Sequence, residues 1–333
     1  MQQYLKKLLR HEDLSAVETE QIALALVRGE LSPVLASATL TALAMKGETV
    51  EEIVALVKVL RTAMIKVEIS KDAIDTCGTG GDGSSTLNAS TLSAFVAAVA
   101  GVPIAKHGNR AISSKCGSFD LLEKFGINFN LNSEQAQDCF NKTDLVFLFA
   151  PNFHPAFKHI MPIRKELGVR TIFNFLGPLL NPAGVKKQVI GVSSGDLAKK
   201  LGEALLALGS EHILIVSSQD GLDEVSVAAP TTVYEFIAGQ EIKKFEIEPG
   251  QKFSLAEIKG GQPAENFTRS CAILEGRGNS AEREFIALNA GLSLYLGGVA
   301  DSINIGIERA REILLTDAPL KKVLQIAKIT NSL

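Results

Sequence analysis

From about residue 73 the sequence alternates short β-rich runs with helical stretches, and this alternation limits the possible folds more than any other feature. Four apolar runs have the character of buried strands: VPIAKHG, DLVFLFAP, KQVIGVSS and EHILIVSS. Helical patterns cover residues 85–100, 133–142 and 196–208 between them, and two more follow at 281–296 and 303–315. Such alternation predicts a larger α/β domain with a mainly parallel central sheet, which we place at 73–333.

The residues before this point have only helical patterns. Two capping boxes begin at Ser15 and Thr49, and a Ser-Pro pair at Ser32 is typical of a helix start. Apolar residues follow each signal at helical spacing. We therefore predict a small all-helical domain over 1–72, completed by a helical segment near 155–185. Packing against a second copy of the chain is one way to cover its apolar stripes.

Composition excludes several classes of protein. The 333 residues are 46% hydrophobic and carry a net charge of -3, so nothing indicates a general nucleic-acid or membrane-surface binder. The four cysteines are widely spaced without a CxxC pair, which argues against a zinc knuckle or a redox motif. The N-terminal residues lack a long apolar run. We expect a soluble, reduced, cytoplasmic protein.

A glycine-rich loop, DTCGTGGDGSSTLNAS, spans residues 75–90. It matches the dinucleotide-binding pattern GxGxxG, but that site also needs an acidic residue at the end of the next strand. Here that strand ends in Lys106, His107 and Arg110, which suit an anion. A Walker loop is excluded because no Gly-Lys-Ser/Thr follows. The loop therefore has the character of a different phosphate site.

Glycines allow positive φ angles and a close approach of backbone amides to an anion. Thr86, Asn88, Ser90 and Thr91 add polar side chains near the start of the next helix, whose free N–H groups also attract anions. A tight turn capped by Ser and Thr is the alternative interpretation.

A second cluster, KHGNRAISSKCGS, follows an apolar strand. It holds Lys106, His107, Arg110 and Lys115 within ten residues, and a solvated basic loop is the alternative. Ligand sites of parallel sheets gather at the carboxyl ends of the strands, so this cluster and the glycine loop are expected to face one crevice. Together they suit a ligand with several phosphates.

The third cluster is DGLDEVS, residues 220–226, which follows another strand. In a loop, Asp223 and Glu224 could both reach Mg²⁺, which prefers a few carboxylates together with substrate phosphate oxygens. An acidic surface turn is the alternative. The two anion loops favour the metal interpretation.

Five motifs occur in the order found in the anthranilate phosphoribosyltransferase family: GTGGDG, NAST, KHGNR, FAPNFHPAFKHIMPIRKELGVRTIFNFLGPLLNPAG and DGLDE. They span roughly residues 75–230, and the long FAPN…NPAG block is the most specific. The sequence resembles that family and its nucleoside phosphorylase/phosphoribosyltransferase-like fold. The resemblance implies transfer of the phosphoribosyl group of phosphoribosyl pyrophosphate (PRPP) to anthranilate with Mg²⁺, in tryptophan biosynthesis, by a homodimer joined through its N-terminal helices.

The resemblance also implies three sets of site residues. Those for PRPP are Gly78, Gly81, Asp82, Thr86, Asn88, Ala89, Ser90, Thr91, Lys106, His107, Gly108, Asn109, Arg110, Ala111, Ile112, Ser113, Ser114 and Ser118. Those for anthranilate are Gly78, Asn109, Arg164, His154 and Pro178, with His107 as a further wall. Those for the metal are Ser90, Asp223 and Glu224. Arg164 also suits the substrate carboxylate chemically, since a guanidinium binds a carboxylate with two parallel hydrogen bonds.

His107 and Arg164 are expected to position substrates, and no residue is assigned as a general base. Leu87, Cys116, Phe153 and Leu180 depart from the commonest family pattern, which puts substrate affinity in question but not the reaction. Two rival functions are a pyrimidine nucleoside phosphorylase and a non-catalytic relative that binds nucleic acid.

Overall fold

The structure, a computed structural model, describes residues 1–80, 83–84, 86–110 and 116–333. Four helices come first: α1 Gln2–Leu8, α2 Ala16–Arg28, α3 Pro33–Lys46 and α4 Val50–Ala63. The seven strands are β1 Ile74–Gly78, β2 Ile104–Gly108, β3 Leu145–Phe149, β4 Lys187–Gly191, β5 His212–Ser218, β6 Thr231–Ile237 and β7 Lys243–Ile247.

Further helices lie between and after the strands of the described ranges. They are α5 Ala89–Val99, α6 Ser118–Lys124, α7 Ser133–Thr143, α8 Ala150–Phe153, α9 Phe157–Leu167, α10 Gly195–Ala207, α11 Leu255–Ile258, α12 Pro263–Leu274, α13 Ser280–Leu296, α14 Ile303–Ile313 and α15 Ala318–Thr330. Two short 3₁₀ helices, Ile172–Asn174 and Gly177–Leu180, follow α9. No helix among the described residues is both long and apolar enough to cross a bilayer.

The predicted fold class is confirmed: a helical N-terminal domain precedes a larger α/β domain. The strands form one sheet in the order β3-β2-β1-β4-β5-β6-β7, in which β1 to β5 are parallel, β6 is antiparallel to β5, and β7 is antiparallel to β6. The chain moves outward in one direction through β1, β2 and β3, then returns to place β4 on the other side of β1. Ligands of such sheets bind outside the carboxyl ends of the strands at this reversal.

The helix caps of the N-terminal domain form as predicted. Ser15 and Thr49 each accept a hydrogen bond from the backbone N–H three residues on. The glutamate at that position in turn accepts a hydrogen bond from the backbone N–H of the cap residue. Ser32 caps α3, which has a proline in its first turn. These bonds satisfy donors that a helix start leaves free.

The helix predicted for 85–100 begins later, at Ala89. Thr86 instead pairs in an isolated bridge with Lys259, and Asn88 occupies the cap position. A contact that is distant in sequence therefore overrides the local helical pattern. The other four predicted helices in the α/β domain agree with the structure to within two residues at each end.

Two packing layers cover the sheet. Leu214 and Val216 of β5 belong to one buried cluster, which includes α5 and α13. Ile213 and Ile215 belong to the other, which includes α10 and the N-terminal helices. The alternation follows from the two-residue period of a strand, since successive side chains point to opposite faces. Helix α9 packs on α2 and α3, so the segment after β3 contacts the N-terminal helices. The domain boundary at residue 72 stays a prediction.

Candidate active site

The glycine loop follows β1 directly. Gly78 is the last residue of that strand, and Gly80 and Gly83 have φ angles of +65° and +74°. This backbone conformation strongly favours glycine, as expected for the loop. Thr79 N–H donates to the carbonyl of Gly191 at the end of β4 (2.9 Å), which ties the start of the loop to that strand.

The first turn of α5 lies behind this loop. Asn88 is its N-cap without a side-chain cap bond, and Ala89, Ser90 and Thr91 follow it. The hydroxyl of Thr91 and the amide oxygen of Asn88 are buried and lack a hydrogen-bond partner within the described residues. Buried polar atoms of this kind are uncommon in proteins and indicate a group that the site receives.

The end of β2 contributes a buried cation. Lys106 is 3% exposed, and its Nζ donates to the carbonyl of Thr76 and to Ser90 Oγ (3.2 Å). Burial lowers the pKa of Lys106, and the nearby charge of Asp75 opposes that shift. The ammonium group therefore holds Ser90 beside the glycine loop.

Asp223 and Glu224 lie in the loop after β5, and both reach the glycine loop. Asp223 Oδ2 accepts from Gly80 N–H (2.9 Å), and Glu224 Oε2 accepts from Thr86 Oγ1 (3.1 Å). A Cβ at Gly78 would lie 2.5 Å from Asp223 Oδ2, so glycine lets this carboxylate keep its position against the strand. The two acidic side chains thus belong to the site and are not a detached surface turn.

This donor set fits Mg²⁺. No group of three or more His, Cys, Asp and Glu side chains with metal-binding geometry occurs in the part of the chain that the structure describes. A pair of carboxylates with a nearby hydroxyl is nevertheless the usual protein contribution to Mg²⁺, which takes its remaining oxygens from water and substrate phosphates.

His107 and His154 form a buried pair beside these loops. Their Nε2 atoms are 3.1 Å apart, and His107 Nδ1 contacts the carbonyl of Gly177 at 3.3 Å. Burial lowers the pKa of His107 to about 3 and that of His154 to about 4. Because a carbonyl only accepts, neutral His107 carries its proton on Nδ1, which leaves its Nε2 as an acceptor facing the His154 ring.

The second 3₁₀ helix forms a rigid wall next to this pair. Three of its consecutive carbonyls accept from side chains of three different elements: Gly177 from His107, Pro178 from Gln188 Nε2 (2.7 Å) and Leu179 from Arg61 Nε (2.8 Å). Polar contacts at successive residues leave the backbone of the wall little freedom.

Arg164, on α9, is half-buried and lies over the ring of Phe173 (5.8 Å from its centroid). Burial lowers its pKa. No salt bridge joins it to a carboxylate of the described residues, and its guanidinium contacts Met161 Sδ at 3.7 Å. A partly desolvated cation without an acidic partner attracts an anionic ligand.

Arg110 differs from the other predicted cations, because α6 already engages it. Its guanidinium forms ion pairs with Asp120 and Glu123, both at 2.9 Å. Asn109 and Ser118 lie beside it, where Ser118 Oγ donates to the Asn109 carbonyl (3.1 Å). Gly108 ends β2 against the Phe119 ring. Six predicted PRPP residues lie outside the described residues: Gly81, Asp82, Ala111, Ile112, Ser113 and Ser114.

Sequence reasoning missed several residues at the site. Arg170 donates to the Gly80 carbonyl (3.0 Å), although it lies in the FAPN…NPAG block. Gln188 and Arg61 hold the wall, and Asn181 links the buried Asp75 to the Ala105 carbonyl (2.8 Å each). No local sequence pattern predicts the contacts of these residues, because each one bonds to backbone that is distant in sequence or belongs to a different element.

Comparisons with known proteins agree with this geometry. Residues 2–64 match the family described as glycosyl transferase family, helical bundle domain, and residues 70–318 match glycosyl transferase family, a/b domain. The chain is 42% identical to the anthranilate phosphoribosyltransferase of Alkaliphilus metalliredigens, over 100% of this chain and 99% of that one. Identity to the Persephonella marina enzyme of the same name is 43%, with 94% of each chain covered.

Solved structures with the same fold match over nearly the whole chain. The anthranilate phosphoribosyltransferase of Thermus thermophilus aligns with a TM-score of 0.91 at 37% identity, covering 98% of this chain and 99% of that one. The Saccharomyces cerevisiae enzyme in complex with PRPP and Mg aligns with a TM-score of 0.91 at 30% identity, covering 99% and 98%.

Proposed function

The chain belongs to the glycosyl transferase family that includes the anthranilate phosphoribosyltransferases, and we propose that it is such an enzyme. It transfers the phosphoribosyl group of PRPP to the amine of anthranilate with Mg²⁺, the second step of tryptophan biosynthesis from chorismate. Close relatives over the full chain carry that name, and the yeast structure holds PRPP and Mg.

One observation carries the proposal: the acidic loop meets the glycine loop. Asp223 accepts from Gly80 and Glu224 from Thr86, so two carboxylates face a loop suited to phosphate. A divalent cation fits between the two carboxylates and a bound phosphate, because it reduces the repulsion between these negative charges. Neither a simple glycine turn nor an acidic surface turn requires this contact.

A different surface suits anthranilate, which accepts the phosphoribosyl group. Arg164 offers a guanidinium to the anthranilate carboxylate, and Pro178 and the neutral rings of His107 and His154 offer apolar walls to its aromatic ring. Gly78 ends β1 and Asn109 follows β2, at the carboxyl ends of neighbouring strands, and we assign both to the anthranilate site. This arrangement would bring the anthranilate amine close to the ribose of PRPP, and such proximity is the main requirement of a bimolecular transfer.

In the reaction, the bond between the ribose C1′ and the pyrophosphate oxygen breaks, and a bond from C1′ to the anthranilate nitrogen forms. The electron pair of the broken bond leaves with pyrophosphate, and the proton that the nitrogen loses passes to solvent. Mg²⁺, when bound, neutralises charge on the departing pyrophosphate. The first turn of α5 attracts phosphate oxygens through its dipole and N-terminal N–H groups, and Lys106 fixes Ser90 in that turn. Because the aromatic amine is already neutral at pH 7, its orientation matters more than a strong base, and we assign none.

The test is the loss of anthranilate fluorescence when enzyme, PRPP and Mg²⁺ are mixed, with EDTA as the control. We expect rapid decay that EDTA abolishes. A folded protein that leaves anthranilate untouched with fresh PRPP would overturn the proposal. Phosphate-dependent release of thymine from thymidine would then test the phosphorylase.

Variants separate the two halves of the site. Asp223→Asn with Glu224→Gln should lose most turnover, and an unchanged kcat at limiting Mg²⁺ would refute the metal assignment. The control is Asp301→Asn with Glu312→Gln, two exposed acids of the C-terminal region.

Arg164→Ala should chiefly raise the KM for anthranilate, because it removes the carboxylate contact but leaves the PRPP loops intact. Lys165→Ala is the matched control, since its exposed side chain is the next residue of the same helix. Equal KM values for the two variants would exclude Arg164 as the carboxylate ligand.

We further propose a cytoplasmic homodimer joined through the N-terminal helices, and a helical domain of residues 1–72 that segment 155–185 completes. Val17, Val34 and Met45 are 63%, 81% and 73% exposed on these helices, which supports an apolar interface. Val34→Glu with Met45→Glu should convert the dimer to a monomer in light-scattering measurements.

A further inference from the structure

We propose that Asn289 is a positioning residue that holds the Asp223–Glu224 loop in its metal-binding arrangement. The inference rests on the proposed function, because the metal role of these carboxylates belongs to that proposal. Asn289 itself lies on α13, behind the loop, and touches neither carboxylate in the hydrogen bonds described below.

The side-chain amide of Asn289 clasps the backbone of Val225 from both sides. Its Oδ1 accepts from Val225 N–H (2.9 Å), and its Nδ2 donates to the Val225 carbonyl (3.0 Å). The second Nδ2 hydrogen bonds the Phe285 carbonyl of α13 itself (2.8 Å). All three contacts require one orientation of the amide, so the loop is tied to the helix at a defined distance.

Val225 directly follows Glu224 and is fully buried. At the other end of the acidic pair, the backbone of Asp223 lies against Gly191, where a Cβ would come 1.5 Å from the Asp223 carbonyl oxygen. The pair is therefore held at one end by contact with β4 and at the other by Asn289. Loss of the amide leaves a buried N–H and carbonyl without partners, and the loop must move to satisfy them.

Helix α13 also packs along α5, the helix that carries Ser90. Ser93 Oγ of α5 donates to the Ile286 carbonyl of α13 (3.4 Å). The same helix thus fixes the position of the hydroxyl ligand and, through Asn289, that of the carboxylates. A shift at Asn289 changes the distance between the two groups, and metal affinity is sensitive to that distance.

The test is the affinity for Mn²⁺ in the presence of pyrophosphate, measured from the electron paramagnetic resonance of free Mn²⁺. We expect Asn289→Ala to weaken Mn²⁺ binding about 10-fold, because it removes the two hydrogen bonds between Asn289 and the Val225 backbone. The apparent Mg²⁺ requirement for turnover should rise similarly, while the KM for anthranilate stays unchanged. Asn289→Asp keeps the acceptor for Val225 N–H but places a carboxylate oxygen against the Val225 and Phe285 carbonyls, so it should weaken Mn²⁺ binding at least as much as Asn289→Ala.

Asn279→Ala is the matched control. Asn279 is the N-cap of the same helix and accepts from Glu282 N–H (2.8 Å), so its loss destabilises α13 without touching the loop. We expect a lower Tm but wild-type Mn²⁺ affinity.

Wild-type Mn²⁺ affinity in Asn289→Ala, or in Asn289→Asp should the alanine variant not fold, would show that Asn289 is merely structural. The same loss of affinity in Asn279→Ala would also overturn the proposal. Failure of wild-type protein to consume anthranilate, with the Mn²⁺ difference intact, would refute the proposed reaction but not the positioning role.

Discussion

Replacing Gly78 with alanine is expected to disturb the carboxylate site without unfolding the chain. The new Cβ would lie 2.5 Å from Asp223 Oδ2, closer than real Cβ atoms approach other groups, and 3.2 Å from its Cγ. Rotation of the carboxylate relieves this overlap, since the contact is with the end of a side chain. That rotation breaks the hydrogen bond from Gly80 N–H to Asp223.

The expected magnitude follows from that bond. A hydrogen bond to a charged acceptor contributes about 1.5–3 kcal/mol, which corresponds to a change of about 10- to 150-fold. The φ angle of Gly78 is outside the left-handed region, so alanine adopts it without strain. Because alanine also restricts the unfolded chain, we expect the free energy of unfolding to change by less than about 1 kcal/mol.

The assay is kcat/KM for PRPP over a series of Mg²⁺ concentrations, together with urea unfolding. We expect the loss of kcat/KM to be largest at limiting Mg²⁺. Gly191→Ala is the contrasting variant: its Cβ would lie 1.5 Å from the Asp223 carbonyl oxygen, a backbone atom that cannot rotate away, so it should destabilise the fold. Full activity of Gly78→Ala at low Mg²⁺ would refute the role of this contact.

Three further changes test other parts of the structure. Gln188→Leu removes the donor to the Pro178 carbonyl and should raise the KM for anthranilate a few-fold with little effect on the KM for PRPP, as steady-state kinetics would show. Glu52→Ala breaks a fully buried carboxylate network and should lower the free energy of unfolding by about 3 kcal/mol in urea titrations. Because the pKa values of His107 and His154 are lowered in the folded chain, these rings bind protons near pH 6.5 only when the chain is unfolded. Stability should therefore be full above about pH 6.5 and fall by about 2 kcal/mol per ring between pH 7 and 5.

Each of these expectations has a control. Glu51→Ala removes the exposed neighbour of the buried carboxylate and should change stability by less than about 1 kcal/mol. Parallel rises in both KM values in Gln188→Leu would indicate general disorder of the site. A His154→Gln variant that loses as much stability as the wild type between pH 7 and 5 would contradict the buried-pair explanation.

The fold class was predictable because its signals are local. Caps at Ser15 and Thr49 lie within four residues of the groups they satisfy, and buried strands such as EHILIVSS are continuous apolar runs. Three strands were missed. β1 (IDTCG) and β6 (TTVYEFI) carry polar residues, and β7 (KKFEI) is a charged edge strand. Their pairing depends on neighbours that a sequence window does not contain.

The site was predictable for its loops but not for the contacts that join them. A glycine-rich loop and an adjacent acidic pair are visible as patterns, whereas Gly80 and Asp223 are 143 residues apart and Asn289 and Val225 are 64 apart. No periodicity links an amide on one helix to the backbone of a distant loop. Residues that position the site, such as Gln188 and Asn289, therefore resemble ordinary core polar residues until the fold is known.

The contact between the loops also changes the physical meaning of the first glycine. In sequence, Gly78 matches a pattern in which glycine lets a backbone approach a phosphate. In the structure, the space that its missing side chain leaves is filled by Asp223, a residue contributed by another strand's loop. The dinucleotide-like pattern therefore does not reveal the role of Gly78, which is to leave room for a carboxylate. Gly80 and Gly83 instead provide the left-handed backbone of the loop. A chain that kept the glycines but lost Asp223 would still match the pattern, yet the contact that excludes a side chain at Gly78 would be gone.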